Sequence, residues 1–305
     1  DAVEQSYVKA AKHYRIAARK GNKKAKKMLS NNNYIKAALK KIDNNNYYEA
    51  ARKREAARKR EAARKREAQG GQNIFRPAGS GSGFLVSDAG HIVTNYHVVR
   101  GCNRVYAYNK GSAYPGKILA VDNVNDLALL KTKLIQKQYL NVRMANPKLL
   151  EEIYVSGFPF GRKISRSIKV TKGIVSSLAG VSNNYSNFQI DAAIQPGNSG
   201  GPITDRNGNV LGVAVTTLDL KFAIKKLKYI PQNVNFGIKS ATLTNLLDAN
   251  SISYGKSRTV SGKLSSSILA EKLTKSTLYL SCWMTNARYK TMRSKRVLFE
   301  DFLEK

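Results

Sequence analysis

Three residues of this chain have the side chains, and the order along the sequence, that nucleophilic catalysis by a serine hydroxyl requires. Ser199 lies in the glycine-rich segment IQPGNSGGP, His97 lies in TNYHVV, and Asp126 precedes the apolar stretch LALL. A serine hydroxyl becomes a nucleophile when an imidazole takes its proton, and a carboxylate fixes the tautomer of that imidazole. The order His97, Asp126, Ser199 therefore predicts a base, an orienting group and a nucleophile for acyl transfer.

Backbone N–H groups near Ser199 would complete such a site. The tetrahedral intermediate carries a negative oxygen, and one N–H donor to that oxygen is worth roughly 2.7–4 kcal/mol. Gly197 stands two residues before the nucleophile, and we assign the oxyanion donors to the N–H groups of Gly197 and Ser199. An ordinary tight turn, a core histidine and a strand-end aspartate would each explain one of these residues. Their order and flanking sequences together favour catalysis.

The remaining histidines and nearby aspartates fit other roles. His13 falls in a basic helical region and His91 follows a turn at the start of a strand, so both are expected to face solvent. Asp122 lacks the apolar stretch that follows Asp126, and we interpret it as a turn residue. Asp191 lies eight residues before Ser199 and is expected to be structural.

The elements that must position the three residues are predicted to be short strands. From Gly83 onward, β-branched and apolar runs alternate with turn residues, which is typical of an all-β domain. A lysine-rich insertion at Leu218–Tyr229 has helical spacing, and Ala241–Ala249 predicts a closing helix.

Six motifs between Gly79 and Asn250 resemble the HtrA/Deg family of trypsin-like peptidases: GSGSGFLVS, TNYHVV, NDLALLK, VSGFPFG, TKGIVSS and QPGNSGGP. The resemblance implies a mainly β fold, the chymotrypsin-like double β-barrel, and an ATP-independent serine endopeptidase of the bacterial envelope. By matching motif positions it gives His97, Asp126 and Ser199 the base, orienting and nucleophile roles, and Gly197 an oxyanion contact.

The specificity pocket is predicted to be small and apolar. Trypsin-like enzymes that cleave after basic residues place an aspartate six residues before the nucleophile, and this chain has Ala193 there. We expect cleavage after valine, alanine or isoleucine. The substrate-binding residues are predicted to be Ala193, Ile194, Phe236, Gly237 and Ile238.

Composition gives the site its context. The net charge of +33 is spread along the whole chain, which favours lineage-wide composition over a nucleic-acid-binding face. The threefold repeat ARKREA within Ala51–Ala68 predicts a solvated helical spacer, with an anionic membrane or nucleic acid as the alternative partner. No cofactor and no metal are expected. Polypeptide substrates are the expected partners, and a homo-oligomer is a further hypothesis.

Four segments are predicted along the chain. Residues 1–49 form a helical segment in which Val8–Leu29 resembles one Sel-one-like, TPR-like repeat, although a plain amphipathic helix pair fits equally well. Residues 50–73 form the basic helical spacer and a hinge, and residues 74–250 the serine protease domain. Residues 251–305 form a short α/β tail, a strand and a helix, of unknown role.

The ends of the chain and its two cysteines leave alternatives open. Cys102 and Cys282 would bridge the barrel to the tail if they pair, which their spacing does not decide. The 55 residues after Asn250 are too few for a PDZ domain, and none is expected. The chain opens at Asp1, and no signal peptide is recognised in it. A removed signal, a trimmed chain or a partial gene would each explain this start. The expected location is the bacterial periplasm or cell envelope, with the cytoplasm as the alternative.

The function predicted from these residues is hydrolysis of peptide bonds in misfolded or unstructured proteins. Two alternatives come from another class of protein. One is a basic helical-repeat scaffold in which proteolysis is secondary, and the other is a protease-like binding module that has lost turnover. A covalent probe for a reactive serine, tested on Ser199, distinguishes these hypotheses.

Overall fold

The computed structural model describes residues 2–43, 55–61, 74–159, 167–215, 233–257 and 263–294. It divides into two compact units, Asp1–Gln72 and Asn73–Lys305. The helical insertion predicted at Leu218–Tyr229 lies outside the described residues, as does most of the predicted spacer and hinge. Among the helices of the described ranges, none combines the length and the apolar character that a bilayer crossing needs.

The first unit is helical. Helix α1 covers Ala2–Arg19, α2 covers Lys23–Asn31, and residues 33–43 form α3. A break at Gly21 and Asn22 separates the first two helices, because Gly21 adopts a φ of 89° and the Asn22 side chain accepts the Ala25 N–H at 3.0 Å. Three buried residues form its small core: Ala11, Ile35 and Ala38. The Sel-one-like repeat stays a prediction.

Part of the basic spacer is described. Residues 55–61 form a helix, α4. Within it Glu55 and Lys59 pair at 2.7 Å, at the i,i+4 offset that stabilises a solvated helix.

The second unit is mainly β. Its strands are β1 Phe75–Leu85, β2 His91–Thr94, β3 Arg104–Asn109, β4 Ser112–Asp122, β5 Leu127–Lys131, β6 Val142–Arg143, β7 Glu152–Gly157, β8 Lys169–Ser177, β9 Asn187–Ile190, β10 Pro202–Thr204, β11 Val210–Val215, β12 Asn235–Lys239, β13 Lys256–Ser257 and β14 Thr277–Thr285. Its described helices are α5 Tyr96–Val99, α6 Ser240–Ala249, α7 Ser266–Ser276 and α8 Asn286–Ser294, with a 3₁₀ turn at Val181–Asn183. Helix α6 confirms the predicted closing helix.

These strands form two closed six-stranded barrels. The first has the order β1-β14-β3-β4-β5-β2, and the second has the order β10-β7-β8-β9-β12-β11, closed by pairing of β10 with β11. Strands β6 and β13 extend the second sheet beyond β11. Each barrel has its own buried core, and a third buried cluster draws on both barrels and on α6 and α7. The predicted chymotrypsin-like double barrel is confirmed.

Strand β14, in the predicted C-terminal tail, is part of the first barrel. Strand β14 pairs with β1 from Phe75 opposite Thr285 to Phe84 opposite Thr277, and its other edge pairs with β3. Residues 277–285, which the sequence analysis left without a role, thus close the barrel and cover two edges that would otherwise be unpaired. The folded unit therefore extends well past the protease-domain boundary that was placed at residue 250.

A disulfide reinforces this closure. Cys102 and Cys282 are bonded to each other across a sequence separation of 180 residues. The bond joins the loop that follows α5 to the middle of β14. The alternative in which the two cysteines bridge the barrel to the tail is the one found in the structure.

Candidate active site

Two hydrogen bonds join His97 to Asp126. His97 is the second residue of α5, and its backbone N–H donates to Asp126 Oδ1 at 2.8 Å. The ring Nδ1 of His97 lies 2.6 Å from Asp126 Oδ2. Because a carboxylate accepts hydrogen bonds, this contact places the ring proton on Nδ1. The arrangement fixes the tautomer of the imidazole and makes Nε2 the nitrogen able to take a proton.

The backbone of Asp126 is adapted to this contact. Its φ of 55° lies in the left-handed region, which aspartate tolerates better than most residues. Its carbonyl accepts the Tyr96 N–H at 3.1 Å and the Asn95 side-chain amide at 2.9 Å. The turn before β5 is therefore tied to the start of α5 by its main chain as well as by its carboxylate.

Ser199 follows a tight turn that depends on glycine. The turn is closed by a hydrogen bond from the Asn198 N–H to the Gln195 carbonyl at 2.9 Å. Gly197 has a φ of 101° and Gly200 a φ of 83°, both in the region that favours glycine. A Cβ on Gly200 would lie 2.3 Å from the Ser82 carbonyl oxygen, so the chain packs too closely there for any side chain.

Contacts from both barrels hold the Ser199 turn. In the second barrel, the Gly200 N–H donates to the Ala214 carbonyl of β11 at 2.9 Å. From the first barrel, the Ser82 N–H of β1 donates to the Ser199 carbonyl at 2.9 Å. The Thr94 hydroxyl, close before α5, donates to the Ser82 carbonyl at 2.7 Å. The elements that carry the three predicted residues thus meet where the two barrels join.

The five residues predicted to line the specificity pocket differ in their exposure to solvent. Ala193 is exposed, and its carbonyl accepts the Thr171 hydroxyl at 3.0 Å. The other four are buried. Ile194 packs in the core of the second barrel, Ile238 packs in the cluster shared by both barrels, and Phe236 is 5 % exposed. A Cβ on Gly237 would lie 2.3 Å from Ile203 Cδ1, so this glycine serves packing inside the barrel.

The candidates set aside from the sequence have other roles. His13 is exposed, and His91 begins β2 with its Nδ1 2.8 Å from the Ser87 hydroxyl. Burial lowers the pKa of His91. The Asp122 carboxylate accepts N–H groups in the turn that follows it, and Asp191 Oδ1 accepts the Ile174 N–H at 2.6 Å.

Ser82 is the residue of the site that the sequence analysis missed. It is fully buried on β1 and contacts the Ser199 turn through both its backbone and its hydroxyl. Its position between two glycines in GSGSG was a signal of close packing, since a Cβ on Gly81 would lie 2.7 Å from Val98. Within the described ranges, no group of three or more histidine, cysteine, aspartate or glutamate side chains is arranged to hold a metal ion.

The two barrels and this constellation at their junction define a trypsin-like serine peptidase domain. The family model described as "Trypsin-like peptidase domain" matches residues 81–213. "Uncharacterized protein y4bJ" of Sinorhizobium fredii is 39% identical over 207 residues, covering 67% of this chain and 32% of that protein. The "Probable periplasmic serine endoprotease DegP-like" of Chlamydia trachomatis is 35% identical over 144 residues, covering 45% and 28%. "Serine protease HTRA1A" of Danio rerio is 41% identical over 157 residues, covering 48% and 32%.

The chain spans at most about a third of the length of each of these relatives, which are longer proteins. The chain therefore carries an HtrA/Deg-like trypsin-like serine peptidase domain, as its motifs predicted.

Proposed function

We propose that this chain is a serine-type endopeptidase that acts through an acyl-enzyme. Ser199 is the nucleophile, His97 the general base and Asp126 the group that orients His97. The observation that carries the proposal is the double contact of Asp126 with His97, at 2.6 Å through the ring and 2.8 Å through the backbone. The serine protease relatives support the same activity.

The proposed reaction has two halves. In the first, Ser199 Oγ attacks the carbonyl carbon of the peptide bond while His97 Nε2 takes the hydroxyl proton. His97 then gives this proton to the amine as the C–N bond breaks, which leaves an ester on Ser199. In the second half, a water molecule attacks the ester with His97 again as base. The acid product leaves and the Ser199 hydroxyl is restored.

The contacts of Asp126 suit this proton transfer. One carboxylate oxygen is held by the backbone N–H of His97, which leaves the other oxygen aimed at Nδ1. When the ring becomes positive, the carboxylate stabilises it at short range without taking the proton. The N–H groups of Gly197 and Ser199 are the proposed donors to the oxyanion.

The proposed substrates are unstructured polypeptides cleaved after small aliphatic residues. Ala193 stands where an acidic residue would be needed to bind a basic side chain. The nearby carboxylate of Asp191 is already hydrogen-bonded to the Ile174 N–H. We also propose an envelope location, which the similarity to the periplasmic serine endoprotease of Chlamydia trachomatis supports.

Turnover of an unfolded protein tests this proposal. Wild-type chain should degrade unfolded casein, and Ser199→Ala should leave it intact while keeping the same thermal unfolding temperature. Degradation by Ser199→Ala at the wild-type rate would contradict the assignment of the nucleophile. A folded wild-type chain that binds unfolded polypeptides without cleaving them would favour the protease-like binding module instead.

A further inference from the structure

The two neighbours of the Ser82 hydroxyl determine the direction in which its O–H points. The Phe158 N–H donates to Ser82 Oγ at 2.9 Å, and Ser82 Oγ lies 2.7 Å from the Gly197 carbonyl oxygen. A backbone N–H can only donate and a carbonyl oxygen can only accept. The hydroxyl therefore accepts from Phe158 and donates to Gly197. Ser82 is fully buried, so water does not compete for either bond.

This hydroxyl holds one of the peptide groups next to the proposed oxyanion donors. The peptide between Gly197 and Asn198 is fixed at both ends, its oxygen by Ser82 and its N–H by the Gln195 carbonyl at 2.9 Å. The peptide after Ser199 is fixed in the same way, its oxygen by the Ser82 backbone N–H and its N–H by the Ala214 carbonyl. Ser82 therefore donates hydrogen bonds to two peptides of the turn, through its hydroxyl to the Gly197 carbonyl and through its N–H to the Ser199 carbonyl.

The peptide between those two is also fixed. The Asn198 carbonyl accepts the Gly201 N–H at 2.8 Å, which orients the Ser199 N–H on the same peptide. The Gly197 N–H belongs to the preceding peptide, and the φ and ψ rotations of Gly197 separate that peptide from the one that Ser82 holds. Glycine has no side chain to restrict these rotations, so an external contact must set them.

We propose that Ser82 is a positioning residue for the oxyanion turn. Its hydroxyl bond to the Gly197 carbonyl sets the turn so that the Gly197 N–H faces the oxygen of the reacting carbonyl. This inference rests on the proposed function. Ser82 touches neither the substrate nor the reacting atoms, and it acts through the Gly197 peptide.

Ser82→Ala tests the positioning role through its effects on kcat and KM. This variant keeps the backbone bond to Ser199 but releases the Gly197 carbonyl. The Gly197 N–H, once it is no longer held in place, stabilises the transition state less well, and this loss is greater than any loss in substrate binding. We expect kcat to fall by about 10- to 100-fold, below the roughly 10²–10³ for complete loss of an oxyanion donor, with KM nearly unchanged.

Ser156→Ala is the matched control. Ser156 is also a fully buried serine, on β7, and its hydroxyl lies 2.9 Å from the Thr277 hydroxyl of β14. Both variants lose one buried hydroxyl that links the barrels, and both should lower the thermal unfolding temperature, Ser82→Ala by more because its hydroxyl makes two hydrogen bonds. Only Ser82→Ala should also lower kcat.

The experiment measures kcat and KM on a peptide substrate, together with the inhibition constant of a peptide boronate that mimics the tetrahedral intermediate. In Ser82→Ala the boronate should bind more weakly by the same factor as kcat falls. Wild-type kcat in Ser82→Ala, or equal kcat losses in both variants, would overturn the positioning role. A wild-type chain that neither cleaves the peptide nor binds the boronate would instead contradict the proposed function.

Discussion

Cys282 in the C-terminal strand β14 is disulfide-bonded to Cys102, which lies five residues after His97. Cys102 also donates its backbone N–H to the Val99 carbonyl at 3.1 Å, at the end of α5. Strand β14 thus holds the loop that follows α5, the helix that carries His97. Strand β14 therefore both closes the first barrel and supports the candidate site.

Loss of this disulfide should lower stability. Cys282→Ser should reduce the free energy of unfolding by about 2–5 kcal/mol, because the bond closes a long loop in the unfolded chain. Urea unfolding followed with and without reductant measures the effect. Reductant should destabilise the wild type and leave Cys282→Ser unaffected. Identical midpoints for the oxidised and reduced wild type would contradict the prediction.

The three candidate catalytic residues should act as one unit. Ser199→Ala and His97→Ala should each lower the rate of the chemical step by about 10⁶, and the double variant little further. Asp126→Asn should lower it by about 10⁴, because an amide favours the wrong tautomer of His97. Single-turnover kinetics on a peptide ester measures these rates. Additive losses in the double variant would show that the residues act independently.

Cleavage specificity should follow the residue at position 193. A peptide library should show cleavage after valine, alanine or isoleucine. Ala193→Asp should add cleavage after arginine or lysine, because the new carboxylate would lie where trypsin-like enzymes bind a basic side chain. A wild-type profile dominated by cleavage after arginine or lysine would contradict the proposed apolar pocket.

A buried ion pair should govern stability in acid. The Arg143 side chain is 1% exposed and donates to both carboxylate oxygens of Glu151. Burial alone would raise the pKa of Glu151, but its hydrogen bonds to Arg143 and to the Lys148 N–H hold that pKa below its ordinary value of 4.5. The stabilisation is therefore complete above about pH 4.5 and is lost as the pH falls through the folded-state value.

Glu151→Gln tests this dependence. At neutral pH the variant should be less stable by about 3 kcal/mol, because the buried Arg143 guanidinium loses one of its two carboxylate partners, the other being Asp205 Oδ2 at 3.7 Å. Its stability should change less than that of the wild type as the pH falls below about 4.5. Glu271→Gln, which alters an exposed pair with Lys275, is the control and should have little effect. Parallel pH curves for wild type and Glu151→Gln would contradict the role of this pair.

The local parts of the site could be predicted from the sequence. Ser199 and Gly197 share one short turn, and the apolar strand after Asp126 indicated that this residue reaches the barrel. Each of these signals lies within a few residues. The contact between His97 and Asp126 followed from the order of three such motifs.

The non-local parts could not be predicted in this way. The hydrogen bond from Ser82 to Gly197 joins residues 115 positions apart, and no local pattern specifies it. The sequence analysis predicted a strand within residues 251–305 but not which sheet edge that strand would join. Gly237 and Ile238 are neighbours on β12 and must point to opposite faces, and both faces are covered by packing. The walls of the specificity pocket therefore could not be assigned from that motif.

Labelling by a fluorophosphonate probe tests the central claim most directly, because the probe reacts fastest with a serine that is activated for attack. Peptide mass spectrometry of the wild type should find one adduct, on Ser199, and the Ser156→Ala control should be labelled at the same rate. Ser199→Ala should carry no adduct, and His97→Ala should react far more slowly. Labelling at another residue, or equal labelling rates for wild type and His97→Ala, would contradict a nucleophile at Ser199 activated by His97.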